Sequence, residues 1–233
     1  MTEPLTLGID TATGQVGVAV GRAGEPIAAL NVNRGRSHGE LLAPSIREVL
    51  RLAGVEVRDI ERLSVDTGPG LFTGLRVGIA TAKALASALG LPVVPCSSLD
   101  ILAHPHRFAG PTVASVVDAR RGEVFWSMYT AGGDGMVAMG DPRVSEPAVL
   151  VEAVRAAADA DGPVIATGDG ARRYAELLLT VDGVLLDGPE RQHPSAISLV
   201  ELASTRAALP PDKVVPEYLR GPDVRIGWEQ RGD

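Results

Sequence analysis

The residues of this chain best placed to do chemistry sit in two short turns. Asp10 and Thr11 end a strand-like run that begins at Leu5, and Gly14 follows in the turn. An aspartate there can order the waters of a magnesium-bound phosphate while turn amides face the phosphate oxygens. It can equally satisfy the N–H groups of its own turn. Ala12 favours this second, structural role, because a side chain at that position hinders close approach of a phosphate. Gly68-Pro69-Gly70 follows another apolar run and precedes a helical pattern, presenting backbone N–H groups at a helix start in a way that suits an anion. Thr73 can cap that helix without any ligand, and the Lys-Ser/Thr pair of a phosphate-binding loop is missing. Asp10, Thr11, Gly68, Gly70 and Thr73 are therefore the candidate nucleotide or phosphate contacts.

Other chemistries find less support. His38 opens a helical segment, but Leu42 occupies the position four residues later where a second metal ligand would share its face. His104, His106 and His193 have no evident ligand companions, so no metal site is expected. Cys96 ends the strand-like run PVVPC and there is no G-x-S-x-G elbow, which points to a buried structural thiol and no catalytic set. Arg120-Arg121 and Arg172-Arg173 can meet RNA or nucleotide, or simply be solvated turn residues.

Strand-like alternation covers Leu5 to Asp10, Gln15 to Val20 and Pro26 to Asn33, followed by a helical period from His38 to Ala53. Leu63 to Asp66 is then a strand, Thr73 to Leu89 a helix stopped by Gly90, and Pro92 to Cys96 a strand. After a connector, His104 to Pro111, the strands Val113 to Asp118 and Glu123 to Tyr129 open a second unit. Asp10-x-x-x-Gly14-x-Val16 recurs as Asp118-x-x-x-Gly122-x-Val124, 108 residues on. Thr67-Gly68-Pro69-Gly70 recurs as Thr167-Gly168-Asp169-Gly170, 100 residues on. Two matches in the same order imply internal duplication. The expected domains are residues 1–108 and 109–233, with the last residues packing back on the first domain.

Composition bounds what the chain serves. Of its 233 residues 45% are hydrophobic, enough for a substantial core. The formal net charge of −7 repels a phosphate backbone, so RNA contact would need cations from a partner. The single cysteine excludes an internal disulfide, and the start MTEPLTLGID lacks the regions of a signal peptide. The most apolar stretch, residues 75–96, is broken by Arg76, Lys83 and two prolines, so no membrane span is expected and the cytoplasm is the expected location.

The helix from Thr73 to Leu89 carries its two charges, Arg76 and Lys83, on a narrow strip, and apolar or small residues cover about 220° of the rest. A helix lying on its own sheet needs an apolar stripe only somewhat wider than ~100°. Gly74, Gly78 and Ala82 recur every fourth residue, a row that admits another helix closely, within the chain or from a second subunit.

Duplicated units with these entrances resemble the actin, Hsp70 and sugar-kinase superfamily. That implies an α/β fold of two duplicated actin-like (ASKHA, RNase H-like) domains, with mixed sheets flanked by helices. LGIDTATGQVGVAV at 7–20, SHGELLAP at 37–44, DTGPGLFTGLRVGIATAKALA at 66–86, VVDARRGEVF at 116–125 and PEYLR at 216–220 are together similar to the TsaB family. That resemblance implies a noncatalytic dimerisation subunit that pairs with its catalytic paralogue TsaD and works with the ATPase TsaE in making threonylcarbamoyladenosine on tRNA. TsaD carries a histidine pair on the helix equivalent to 38–53, which this chain lacks. Leu71 stands where the family has serine, so a hydroxyl-dependent role there is not carried over.

The resemblance places the partner interface on helices 38–53 and 73–89, at Leu41, Leu42, Ser45, Ile46, Val49, Gly74, Val77, Gly78, Thr81, Ala82 and Leu85. No cofactor is expected to bind the isolated chain tightly, and ATP or ADP would sit at a complex interface. A homodimer is allowed, and tRNA would be reached only through the complex. The competing function is an actin-like ATP-dependent small-molecule kinase, against which Thr11 and Ala12 argue.

Overall fold

The structure is a computed structural model, and it describes residues 3–35, 37–133 and 135–220. The last part of the segment expected to pack back on the first domain, residues 221–233, lies outside them.

Strands β1 (Leu5–Asp10), β2 (Gln15–Arg22) and β3 (Glu25–Asn33) form an antiparallel meander. Helix α1 (His38–Ala53), strand β4 (Arg62–Gly68), helix α2 (Phe72–Leu89), strand β5 (Val93–Ser97) and helix α3 (Ser98–Ala103) follow. The sheet order is β3-β2-β1-β4-β5, with β1, β4 and β5 parallel. β1 and β4 are near-continuous apolar runs because both faces are covered, and Leu7, Ile9, Leu63 and Val65 are fully buried. Each such side chain contributes roughly 1.5–3 kcal/mol of hydrophobic stabilisation. Gly54 and Gly90 end α1 and α2 in the left-handed conformation, at φ +69° in both cases.

The second half repeats this path. Strands β6 (Thr112–Arg120), β7 (Glu123–Gly132) and β8 (Gly135–Ala138) form the meander, with β9 (Arg143–Ser145) paired to β7. Helix α4 (Pro147–Asp161), strand β10 (Val164–Thr167), the short helices α5 (Asp169–Arg173) and α6 (Ala175–Leu178), strand β11 (Val184–Leu186) and helix α7 (Ala196–Thr205) complete it. Its order, β8-β7-β6-β10-β11, is the first sheet's order over again. Internal duplication is thus a property of the topology, and the arrangement is the duplicated actin-like fold.

The two halves exchange helices. α3, from the first half, packs Leu99, Leu102 and Ala103 against Val113, Val117 and Phe125 of the second sheet. α7, from the second half, lies on the first sheet, with Ala196 and Val200 against Ala19. The approach is close enough that a Cβ at Gly8 would lie 3.1 Å from Leu199 Cβ and 2.9 Å from the Ala196 carbonyl oxygen. Val94 and Cys96 of β5 meet Ile101 of α3 and Leu199 and Leu202 of α7, so one apolar cluster belongs to both lobes. Polar contacts clamp the crossing, with an ion pair from Arg206 to Asp100 at 2.8 Å and His104 Nε2 lying 2.9 Å from a Glu201 carboxyl oxygen.

Candidate functional site

Parallel pairing of β1 with β4 carries Asp10 and Asp66 to neighbouring strand ends, since Ile9 is in register with Val65. Asp10 Oδ1 accepts from the Ala12 N–H at 2.9 Å. Asp66 Oδ1 accepts from the Gly68 N–H at 2.8 Å and the Ser98 hydroxyl at 2.6 Å. Both side chains are buried to within 1% of fully, and the second oxygen of each receives no donor from elsewhere in the described residues. The two carboxyls instead pair with each other. Burial, and then the Asp66 charge, holds Asp10 well above the ordinary carboxylate range, and burial pushes Asp66 up to about 6. Burial thus favours a proton on this pair, where each free oxygen otherwise has no donor among the described residues.

The turn after Asp10 is walled in by its own chain. Asp10, Thr11, Ala12 and Thr13 are each no more than 1% exposed. Thr11 Oγ1 donates to the Gly74 carbonyl at 2.8 Å, the Leu71 N–H donates to the Ala12 carbonyl at 2.7 Å, and His38 Nε2 donates to the Thr13 carbonyl at 2.7 Å. A Cβ at Gly70 would overlap the Ala12 carbonyl oxygen, one at Gly74 the Thr11 carbonyl oxygen, and one at Gly78 the Thr11 hydroxyl. The glycines therefore let α2 lie directly on the turn, and the space a phosphate would need is filled.

Of the candidate phosphate contacts, Asp10, Thr11 and Gly70 lie in or against the one closed turn, while Gly68 bonds Asp66 and faces Leu75 and the Glu217 carbonyl; none is open to a ligand. Thr73 stands apart. It is exposed within the first turn of α2, whose N-cap is Leu71, so the expectation that Thr73 caps the helix is corrected. The small-residue row is corrected too, because Gly74, Gly78 and Ala82 are buried within their own domain. Leu42, Ser45, Ile46 and Val49 form the buried face of α1 and likewise cannot meet a partner. Leu41, Val77, Thr81 and Leu85 are half-buried, and Ala80, Ala84 and Ala88 are exposed beside them. The alanines are the outward small-residue row, and helical spacing alone did not separate them from the inward one.

The second lobe repeats the turn. Asp118 Oδ1 accepts from the Arg120 N–H at 2.9 Å, as Asp10 accepts from Ala12. Asp118 Oδ2 is held by Arg120 at 2.8 Å and Arg173 at 3.2 Å, so one arginine of each doublet serves an internal ion pair. Asp169, whose carboxyl burial raises to about 6, accepts from the Asp118 N–H at 2.9 Å. Residues 217–220 strap the cleft between the lobes. The Glu217 N–H donates to the Thr67 carbonyl at 2.7 Å, and Arg220 reaches the Ala119 carbonyl at 3.3 Å and pairs with Glu123.

Cys96 is buried and its thiol is pushed up to about 11, chiefly by burial. Among the described residues there is no group of three metal-ligating side chains, and no helix is long and apolar enough to cross a membrane. Sequence reasoning missed the Asp10–Asp66 pair, although an aspartate ending each of two neighbouring parallel strands was a usable signal.

A family model described as TsaD: tRNA N6-adenosine threonylcarbamoyltransferase matches residues 33–168. An uncharacterized protein of Mycobacterium tuberculosis is 37% identical, the match covering 94% of this chain and 93% of that one. The tRNA threonylcarbamoyladenosine biosynthesis protein TsaB of Escherichia coli is 30% identical, with 96% of each chain covered. Among solved structures, YeaZ from Pseudomonas aeruginosa has a TM-score of 0.78 at 28% identity, over 93% of this chain and 100% of that one. The chain thus belongs to the TsaB (YeaZ) family, proteins of tRNA threonylcarbamoyladenosine biosynthesis.

Proposed function

We propose that this chain is a noncatalytic scaffold subunit of the tRNA threonylcarbamoyladenosine machinery, supporting a catalytic TsaD subunit together with the ATPase TsaE. The observation that carries the reading is the filled turn. With Asp10 to Thr13 buried and Gly70, Gly74 and Gly78 pressed onto them, neither a phosphate nor its magnesium waters can reach the aspartate. An actin-like kinase needs that space, so the kinase reading loses its site. Cys96, held as a neutral buried thiol, offers no nucleophile in its place.

The partner-facing surface in this reading is the outer side of α1 and α2, along Leu41, Val77, Thr81 and Leu85 with the exposed Ala80, Ala84 and Ala88. Small side chains let a facing helix approach closely while the half-buried apolar residues supply area. When the catalytic subunit is absent, a second copy of the chain can take the same ridge. ATP or ADP would bind only where the partner completes a site, and tRNA would be engaged through the complex, because a chain of net charge −7 attracts phosphates poorly.

The test is reconstitution with TsaD and TsaE of the same organism. Threonylcarbamoyladenosine should form on tRNA only when this chain is added, and Ala84→Arg should abolish both complex formation and product while the variant stays folded. Product formed at the full rate without the chain would refute the proposal.

A further inference from the structure

We infer that residues 217–220 are a clasp that fixes the angle between the two lobes without a ligand, seated on the first lobe and latched to the second by Leu219 and Arg220. The clasp acts in the free chain, whether or not a partner docks.

Two lobes of one chain move relative to each other unless the contact between them is large or tied, and closure about a hinge is a common form of that motion. Here α3 and α7 make the joint, and the segment after α7 adds a second tie. That segment begins on the first lobe. Leu209 and Val93 exchange backbone hydrogen bonds at 2.9 and 2.7 Å, along the outer edge of β5. Val214 is buried in the first lobe's core, and Lys83 Nζ of α2 donates to its carbonyl at 3.0 Å. The Glu217 N–H donates to the Thr67 carbonyl at 2.7 Å, and the Glu217 carbonyl oxygen would lie 2.9 Å from a Cβ at Gly68. Tyr218 stacks on Phe72 with ring centroids 5.4 Å apart, and its hydroxyl accepts from Arg76 Nε at 3.3 Å.

The next two residues cross the cleft. Leu219 packs against the apolar cluster that contains Val117 and Phe125 of the second sheet. Arg220 donates to the Ala119 carbonyl at 3.3 Å and pairs with Glu123. The clasp thus joins the Thr67-Gly68 turn of one lobe to the turn after Asp118 in the other. Both turns carry residues that the sequence offers as candidate ligand contacts, and here the chain's own backbone bridges them. Three chain steps extend no further than ~11 Å, so the turns cannot draw apart while both ends hold.

The two ends differ in strength. The first-lobe seat includes the buried Val214 and a strand pairing, whereas the Arg220 and Glu123 side chains are 27% and 36% exposed, and an ion pair open to solvent is weak and screened by salt. The latch therefore opens first. Its release leaves the segment seated on the first lobe and frees the lobes to pivot about α3 and α7.

Double electron–electron resonance on the full chain tests this, with spin labels at Arg58→Cys on the first lobe and Asp159→Cys on the second, in a mixture diluted with unlabelled chain. Cys96 is buried and stays unlabelled. The native clasp should give one narrow distance distribution that ATP and magnesium leave unchanged. Leu219→Ser combined with Arg220→Ser should broaden that distribution about twofold while the melt stays cooperative. Wild-type width in this variant overturns the clasp and leaves α3 and α7 as the whole joint. A broad distribution with the native clasp, or one that ATP narrows, overturns it as well. Should the latch variant fail to fold, Glu217→Pro combined with Tyr218→Ser cuts the first-lobe end by removing the N–H bonded to Thr67, and the same two outcomes decide.

Discussion

Asp10 and Asp66 face each other at the ends of two parallel strands, fully buried, and pair carboxyl to carboxyl. Two carboxylates do not readily both ionise at such a contact without a cation, and among the described residues the donors to the pair are the neutral Ala12 and Gly68 N–H groups and the Ser98 hydroxyl. The pair is therefore a proton-sharing structural element where a nucleotide-binding relative of the fold would place a metal-ordering acid.

The pair makes stability depend on pH. Asp66 is raised from 3.8 unfolded to about 6 folded, so the folded state binds the extra proton. Its contribution is fully present below the unfolded value and is lost as pH rises through about 6. Asp66→Asn should accept from Gly68 and Ser98 as before and donate an N–H to Asp10 at every pH. Thermal melts should show the variant more stable than wild type at pH 8, by a few degrees, with a flatter profile between pH 5 and 8. A variant less stable than wild type throughout that range would mean that the carboxyls do not share a proton.

Two substitutions on one helix should separate inward from outward rows. Gly78→Ala places a Cβ against the Thr11 hydroxyl and should cost about 1–3 kcal/mol despite its better helix propensity. Ala84→Leu adds bulk on an exposed position and should leave the melting temperature within a few degrees while weakening association. Equal melting temperatures for Gly78→Ala and wild type would contradict the packing described here.

Binding to tRNA should follow from charge. A chain of net charge −7 should show no submicromolar affinity for tRNA at physiological salt, and addition of TsaD should create affinity that falls steeply with salt. Electrophoretic mobility shifts at two salt concentrations measure this, and tight binding by the chain alone would refute it.

Much of the fold was legible in the sequence, because strand alternation and the recurrence of Asp10-x-x-x-Gly14 at Asp118-x-x-x-Gly122 depend on local chemistry. The same holds for Gly90, which ends α2 as expected. The exchange of α3 and α7 was not legible, since both helices are short and only tertiary packing decides which sheet they cover. The direction of the Gly74–Gly78–Ala82 row was hidden for a related reason. Small residues every fourth position admit a close neighbour but do not say whether it is another subunit or the Thr11 turn. The outward Ala80, Ala84 and Ala88 lay unremarked at the same spacing. The PEYLR segment at 216–220 was noticed only as a point of resemblance, and its role as a strap from Thr67 to Ala119 depends on contacts remote in sequence.

The most direct test of a noncatalytic role is threonylcarbamoyladenosine formation by the reconstituted complex carrying Asp10→Asn in this chain. The substitution keeps the acceptor for the Ala12 N–H and the pairing with Asp66 while removing the strand-end carboxylate that would order a metal at this turn. The expected result is product formation at the wild-type rate by an intact complex. A drop of about 100-fold or more with the complex still assembled would show that Asp10 takes part in the chemistry, and would contradict the scaffold assignment.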